Sequence, residues 1–247
     1  MVFVPISDEN PLRSIKFQWV TVAIIIINVV VWAAFQLPDL LSNNSCHSFL
    51  FATSFGLVPI ELRGIDQVLL DGCPAAVGLL GHIPEPLTPV SYMFLHGDFW
   101  HLAFNMLFLW VFGDNVEDAL GHVRYIVFYL LCGLAGAGLH TAVNPDSTVP
   151  LIGASGAISG VIAAYLMLHP KVHLWVLLFR FIPVRLYAFI VLGLWIAMNV
   201  YYAFFGDKAQ QIAWLAHIGG LGAGAVLILL MRRRGVPLFD GTSFRQE

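Results

Sequence analysis

The sequence predicts an all-α integral membrane protein, built as a bundle of six membrane-spanning helices. Of its 247 residues, 59% are hydrophobic and only 11% are charged, and the mean hydropathy is +0.81. An ordinary soluble domain is about half apolar and about a quarter charged. Several stretches of the chain also contain no charged residue over about 20 positions, the length that a helix needs to cross the ~30 Å hydrocarbon core. The expected solvent of this chain is therefore a lipid bilayer.

Six stretches free of Asp, Glu, Lys and Arg predict the helices in chain order. One of them, 99–113, has only 15 residues and reaches spanning length if Asp98 and Asp114 lie at the two interfaces. The other five are long enough as they stand, and they cover residues 17–38, 125–145, 147–170, 186–206 and 209–231.

The basic residues predict the orientation. With six spans both termini lie on one side, and that side carries ten of the twelve Lys and Arg residues, whereas the other carries only Arg63 and Lys208. Basic loops stay in the cytoplasm, so both termini are expected there. The first helix is too long for a signal peptide and lacks a cleavage site, which predicts a retained span. The expected location is the inner (plasma) membrane of a bacterium.

Three parts follow from this topology. They are a cytoplasmic lead (1–16), a six-helix membrane domain (17–232, with an outer interfacial loop at 39–95) and a cytoplasmic tail (233–247). The outer loop contains Cys46 and Cys73, which form either a disulfide or two free thiols. The basic residues are too few and too scattered for a nucleic-acid-binding surface, which excludes that class of partner.

Polar residues inside predicted helices mark candidate functional sites, because such groups are costly in a bilayer. In Gly153-Ala154-Ser155-Gly156, Pro150 and Gly153 disfavour a regular helix upstream, so a helix is expected to start near Ser155 and to end before Pro170. The Ser155 hydroxyl would then lie among free backbone N–H groups, which can stabilise an oxyanion. The alternative is that these small residues serve only close helix packing.

Two further clusters extend this interpretation. His217, followed by Gly220, lies in the last helix and can act as an acid or base at neutral pH, and a Ser activated by a His is a common nucleophile. The fourth and sixth helices contain no Asp or Glu, so a Ser-His dyad is predicted. His101 and Asn105 lie four residues apart on one face of the second helix, and both can donate hydrogen bonds. The alternative for each cluster is a structural interhelical hydrogen bond.

Taken together and in this order, the clusters resemble the rhomboid family of intramembrane serine proteases over residues 88–231. The motifs similar to those of the family are His101 and Asn105; Gly153, Ser155 and Gly156; Ala216, His217 and Gly220; and Gly113, Glu117 and Gly121.

The resemblance implies a six-helix rhomboid-like bundle and a serine endopeptidase that needs neither a metal nor another cofactor. Its substrates would be single-span membrane proteins, cut in or near their transmembrane segments within the lipid bilayer. Ser155 would be the nucleophile and His217 the general base, while His101, Asn105 and the backbone N–H of Ser155 would hold the oxyanion. Glu117 would be structural, and so would the three motif glycines Gly153, Gly156 and Gly220. The fifth helix is the expected gate for substrate entry.

Two departures from the family pattern concern the first loop and the support of the histidine. The loop contains Arg63 but no Trp, so the Trp-Arg pair of many members is missing. Many bacterial members have a Tyr under the histidine, four residues after the serine, where this chain has Ser159. Support for His217 is therefore expected from elsewhere. His96 and Asp98 are expected at the rim of a polar cavity.

Two other functions remain as alternatives to a protease. One is a non-catalytic membrane adaptor or chaperone on the same fold, which would need only to bind its substrate. The other is a small transporter that uses the polar side chains as a path, and the absence of a charged residue in the middle of any predicted span disfavours it.

Overall fold

The computed structural model describes residues 3–42, 45–64, 83–179, 181–206 and 213–239. Within these residues nine α-helices follow one another: α1 (Trp19–Val31), α2 (Leu37–Ser42), α3 (Ser45–Phe55), α4 (Thr88–Ser91), α5 (Phe99–Leu120), α6 (His122–Val143), α7 (Ser155–Leu168), α8 (Ala188–Phe205) and α9 (Trp214–Met231). A π-helical turn, Trp32–Gln36, joins α1 to α2. Three-residue 3₁₀ turns cover Glu61–Arg63, Glu85–Leu87 and Tyr92–Phe94.

The predicted helical membrane architecture is confirmed. Four described helical stretches are long and apolar enough to cross a membrane, namely Trp19–Gln36, His122–Val143, Ala188–Phe205 and Trp214–Met231. The apolar helix α7 is shorter, with 14 residues. Helix α5 has 22 residues but contains several polar side chains, among them His101, Asn105 and Asp114. The count of six spans therefore stays a prediction.

Helix α7 lies at the centre of the bundle. Every residue from Gly156 to Tyr165 is buried, and α5, α6 and α9 surround the helix. Helices α1 and α8 instead expose many large apolar side chains, such as Val30 and Phe204. That distribution suits a central helix shielded from lipid and outer helices that contact the acyl chains.

The backbones of α7 and α9 touch through glycines. A Cβ atom on Gly220 would lie 1.9 Å from the carbonyl oxygen of Gly156, and one on Gly224 would lie 2.2 Å from that of Gly160. Only glycine fits at so close an approach, as is typical of small-residue helix pairs in membranes. The contact brings Ser155 on α7 and His217 on α9 to the same level of the bundle.

The described part of the first loop contains helix α3 and is fastened to the segment before α7. The amide N–H groups of Leu57 and Leu151 each donate to the other residue's carbonyl oxygen, over 3.1 and 2.8 Å. Arg63 forms an exposed ion pair with Asp146. The Cys46–Cys73 pairing lies outside the described residues, since residues 65–82 and the side chain of Cys46 are not among them.

A three-stranded antiparallel sheet covers the end of the bundle opposite Ser155. It consists of β1 (Phe3–Asp8), β2 (His173–Leu178) and β3 (Ile182–Tyr187), in that order. The β2–β3 hairpin connects α7 to α8, and β1 pairs with β2. The all-α expectation contained no strand here, so the sheet is an addition to the predicted fold. Its first strand comes from the segment expected to be only a lead.

Asp8, the last residue of β1, fastens the sheet to the helices. Its Oδ2 atom accepts hydrogen bonds from the Tyr165 hydroxyl (2.7 Å) and from Nδ2 of Asn115 (3.1 Å). Burial raises the pKa of Asp8 to about 7; the Tyr165 hydrogen bond opposes this shift, and the negative charge of Asp114 adds to it. The Asp8 carboxylate is thus less stable in the folded protein than in water.

This pKa predicts a pH-dependent stability. Between its ordinary value of 3.8 and about 7, the folded protein holds a proton on Asp8 that the unfolded chain has lost. The free energy of unfolding therefore decreases as pH rises through that window. Asp8→Asn removes the titration and keeps an oxygen for both hydrogen bonds. Above pH 7 we expect the variant to be more stable by about 1–2 kcal/mol, because Asp8 is only partly buried.

The measurement is the Tm of both proteins in detergent between pH 5 and pH 8. The Tm of the wild type should fall relative to that of Asp8→Asn by roughly 2–8 °C over this range. Parallel pH profiles for the two proteins would contradict the assignment.

Candidate active site

Ser155 is the first residue of α7, as the sequence predicts. Gly153 precedes it with φ +119°, a conformation that side chains other than glycine rarely adopt, and its N–H donates to the carbonyl oxygen of Tyr92 over 2.9 Å. The chain therefore enters the helix abruptly at this point. The first N–H groups of α7, beginning with that of Ser155, have no carbonyl partner within the helix.

The structure brings Ser155 and His217 together. Nε2 of His217 lies 2.7 Å from Oγ of Ser155, and the imidazole is buried. The aromatic rings of Trp195 and Trp214 flank it, with ring centroids 6.1 and 5.8 Å away. The close glycine packing between α7 and α9 permits this contact.

Asn199 on α8 contacts the other nitrogen of the same imidazole. Its Oδ1 lies 2.7 Å from Nδ1 of His217, and its Nδ2 donates to the carbonyl oxygen of Trp195 over 2.8 Å. This second bond fixes the amide so that its oxygen, which can only accept, faces the imidazole. Nδ1 of His217 must then carry the proton, which leaves Nε2 as the acceptor for the Ser155 hydroxyl.

Sequence reasoning missed Asn199 and predicted a pair rather than a chain of three residues. Within the run 186–206 it is the one amide or ionisable residue apart from the tyrosines. A polar residue in a predicted span is itself a functional signal. The dyad was predicted because α7 and α9 contain no Asp or Glu, whereas the third contact comes from an amide on α8. Asn199 thus supplies the support for His217 that the sequence, with Ser159 four residues after Ser155, left unassigned.

His101 on α5 lies beside Gly153 and Ser155, and Asn105 follows it one turn further along the same helix face. Nδ1 of His101 accepts a long hydrogen bond from the Gly97 N–H (3.4 Å), so the proton belongs on Nε2. A Cβ atom on Gly153 would lie 2.7 Å from that Nε2 and 3.7 Å from Oγ of Ser155, so the absence of a side chain keeps the space between them open. Nδ2 of Asn105 is buried and has no hydrogen-bond partner.

The two residues that were expected at the cavity rim, Asp98 and His96, differ in their exposure. Asp98 is exposed, and its side chain caps α5 by accepting from the His101 N–H over 2.9 Å. His96 is instead fully buried, which corrects the expectation, and Gln36 in the π-helical turn binds both its backbone N–H and its carbonyl oxygen. Its ring packs edge-on against His101, with the centroids 5.0 Å apart.

Glu117 lies far from these groups, at the other end of α5, and is fully buried. Its carboxylate accepts hydrogen bonds from the N–H of Val20 (3.0 Å) and from the N–H and hydroxyl of Thr21 (2.8 and 2.7 Å). It also contacts Nδ1 of His122 at the start of α6. The side chain thus joins the ends of three helices.

Comparison with known proteins shows to which family the chain belongs. The model of the Rhomboid domain matches residues 85–234. The chain belongs to the rhomboid family. This rhomboid is accordingly an integral membrane protein, and the family includes proteins named as proteases.

Three relatives illustrate the range of the match. The rhomboid is 31% identical to the putative rhomboid protease YdcA of Bacillus subtilis, over 66% of this chain and 69% of that protein. It is 33% identical to the rhomboid protease GluP of the same organism, over 56% of this chain and 24% of GluP. It is 31% identical to the mitochondrial Rhomboid protein 1 of Saccharomyces cerevisiae, over 59% of this chain and 42% of that protein. This rhomboid therefore spans half or less of the length of the latter two.

Proposed function

We propose that the protein is an intramembrane serine endopeptidase in which Ser155 is the nucleophile and His217 the general base. The observation that carries the proposal is the 2.7 Å contact between Oγ of Ser155 and Nε2 of His217 at a buried site. The protease-named relatives support the reaction class.

We also propose that the chain is divided into a lead (1–16), a membrane domain (17–232) and a tail (233–247). Both termini are proposed to lie in the cytoplasm, and the proposed location of the protein is the plasma membrane of a bacterium.

In the first half of the reaction, Nε2 of His217 accepts the hydroxyl proton of Ser155 as Oγ attacks the scissile carbonyl carbon. The carbonyl oxygen becomes an oxyanion. Three donors are available to it: Nε2–H of His101, the unpartnered Nδ2–H of Asn105 and the backbone N–H of Ser155. The imidazolium of His217 then gives its proton to the leaving nitrogen, and an acyl-enzyme forms.

In the second half, water replaces the departed amine. His217 removes a proton from that water, which attacks the ester carbon, and the resulting imidazolium returns the proton to Oγ of Ser155. The carboxylic acid product leaves and the starting state is restored. His217 is charged only transiently, and the neutral oxygen of Asn199 orients the ring through Nδ1 in both halves.

The depth of the site suggests where the substrate is cut. Helix α7 has 14 residues and is therefore about 21 Å long, shorter than the ~30 Å hydrocarbon core. If its far end lies at one interface, Ser155 lies several ångströms below the other. Single-span membrane proteins are the proposed substrates, cut near one end of the span. Their helix must unwind locally to expose a carbonyl group.

The test is cleavage of a single-span reporter by the purified protein in proteoliposomes. We expect the untreated protein to cut the reporter within or beside its span, and we expect a fluorophosphonate that modifies Ser155 to stop the reaction. A protein that neither cuts the reporter nor reacts with the fluorophosphonate would favour the non-catalytic adaptor.

Asn199 yields a separate prediction. Asn199→Ala removes the acceptor that orients His217, so we expect kcat to fall about 10- to 100-fold with KM changed less than threefold. The matched control is Asn28→Ala on α1, because Asn28 is also buried and also donates Nδ2 to the carbonyl oxygen four residues earlier (2.8 Å). Asn28→Ala should lower the Tm by a similar amount and leave kcat unchanged. Equal kcat values for the two variants would show that Asn199 is only structural.

A further inference from the structure

A basic cavity of about 460 Å³ lies at the end of the bundle opposite Ser155. The turn between α5 and α6 and the residues after α9 form its walls. Three arginines line it: Arg124, Arg233 and Arg234. We define these three residues and the space between them as the arginine cavity. None of its residues takes part in the proposed proteolysis.

Backbone contacts hold the arginine cavity in shape. The N–H of Arg233 donates to the carbonyl oxygen of Ala119 over 2.9 Å, and Nη1 of Arg124 donates to the carbonyl oxygen of Met231 over 3.1 Å. Gly121 has φ +81°, and a Cβ atom there would lie 2.6 Å from the Arg233 guanidinium. The absence of a side chain at Gly121 therefore gives the guanidinium its place.

The three positive charges lack a neutralising partner within the part of the chain that the structure describes. None of these guanidinium groups forms an ion pair with a described carboxylate. The carboxylate of Glu117, at the adjoining end of α5, is already bound by Val20, Thr21 and His122. Several guanidinium groups around an open space favour an oxyanion with several acceptor oxygens, such as a phosphate.

An apolar surface continues from the arginine cavity along the bundle. Val123 at its edge is 76% exposed, Ile126 and Val127 follow on the same helix, and Leu230 on α9 is 75% exposed. Helices α6 and α9 pack side by side, and the Arg124–Met231 bond places these ends at one level. Both helices are long and apolar enough to span, so the cavity lies where a span meets the headgroup layer.

We propose that the arginine cavity binds the phosphate of an anionic phospholipid, whose acyl chains lie along the exposed apolar surface of α6 and α9. The apolar surface distinguishes a lipid from free phosphate, since only a lipid would use both features. Basic pockets between transmembrane helices are known to suit anionic headgroups. This site is independent of the proposed proteolysis.

The experiment is native mass spectrometry of the full chain in detergent, titrated with dioleoylphosphatidylglycerol or with dioleoylphosphatidylcholine. We expect one molecule of the anionic lipid to bind at least fivefold more tightly than the zwitterionic one. Arg124→Gln, Arg233→Gln and Arg234→Gln should each reduce that preference about fivefold. The matched control is Lys171→Gln, which removes one exposed positive charge at the same end of the bundle but outside the cavity, and it should keep the preference.

Other outcomes would overturn the proposal. They are an absent preference for the anionic lipid, an equal loss in Lys171→Gln, or full displacement of the lipid by inorganic phosphate at equal concentration, which would identify a free-phosphate site. Should Arg233→Gln fail to fold, Arg234→Gln decides, because Arg234 is exposed and no described hydrogen bond holds its side chain.

Discussion

Ser155→Ala is expected to lower the rate of reporter cleavage by at least about 10³-fold, because no other described hydroxyl lies within hydrogen-bond distance of Nε2 of His217. His217→Ala should lower it as much, since the two side chains act as one unit. The double variant should be no worse than either single one. The measurement is initial cleavage rate in proteoliposomes, with KM determined separately.

The matched control is Ser159→Ala. Ser159 lies one turn further along α7, is fully buried, and donates its hydroxyl to the Ser155 carbonyl oxygen over 2.6 Å. Its loss removes a serine hydroxyl from the same helix but not from the imidazole, so cleavage should stay within a few-fold of wild type. A fluorophosphonate should label this control and the wild type and leave Ser155→Ala unlabelled. Persistent cleavage by purified Ser155→Ala would rule out this nucleophile.

Gly220→Val is expected to abolish both stable folding and activity. Its new Cβ atom would lie 1.9 Å from the carbonyl oxygen of Gly156, a backbone atom that cannot yield without moving α7. The two helices would have to separate, which breaks the contact between Ser155 and His217 and loosens the buried centre. We expect a destabilisation above about 3 kcal/mol, more than the usual ~1–3 kcal/mol of an overpacked core, because the obstacle is a backbone atom.

Gly222→Val provides the control, since a Cβ atom on Gly222 would meet nothing within 4 Å and the residue is exposed on the same helix. It adds the same apolar side chain and the same change in helix propensity to α9. Its Tm and its fluorophosphonate labelling should both match those of the wild type. Equal loss in the two variants would mean that helix propensity, rather than the close approach to α7, governs the outcome.

Local spacing was enough to predict several features of the site. The start of α7 followed from Pro150 and Gly153, whose backbone preferences act within a few residues. The shared face of His101 and Asn105 followed from their spacing of four. These features depend on backbone preferences and on the helix period, which act over a few residues, so a single sequence is enough to predict them.

Other features depend on contacts that no local pattern encodes. The bond between Asn199 and His217 joins two helices whose relative rotation is set by packing, so the polar residue could be noticed in the sequence but its partner could not. The pairing of β1 with β2 joins residues that are 166 to 175 positions apart along the chain. The backbone of His96 is held by Gln36, which lies 60 residues earlier in a π-helical turn without a reliable sequence signature.

The long separation between β1 and β2 also has a consequence for the order of events during synthesis. A ribosome adds about 5–20 residues per second, so β1 exists for roughly 10–30 s before its partner strand has been made. During that interval its backbone groups are unpaired, as at the edge of an open sheet. Pro5, beside the irregularity between Pro5 and Ser7, interrupts the row of N–H donors and limits pairing with other nascent chains. The sheet can close only after α7 is complete, so β1 cannot pair with β2 before the first helices of the bundle have been made.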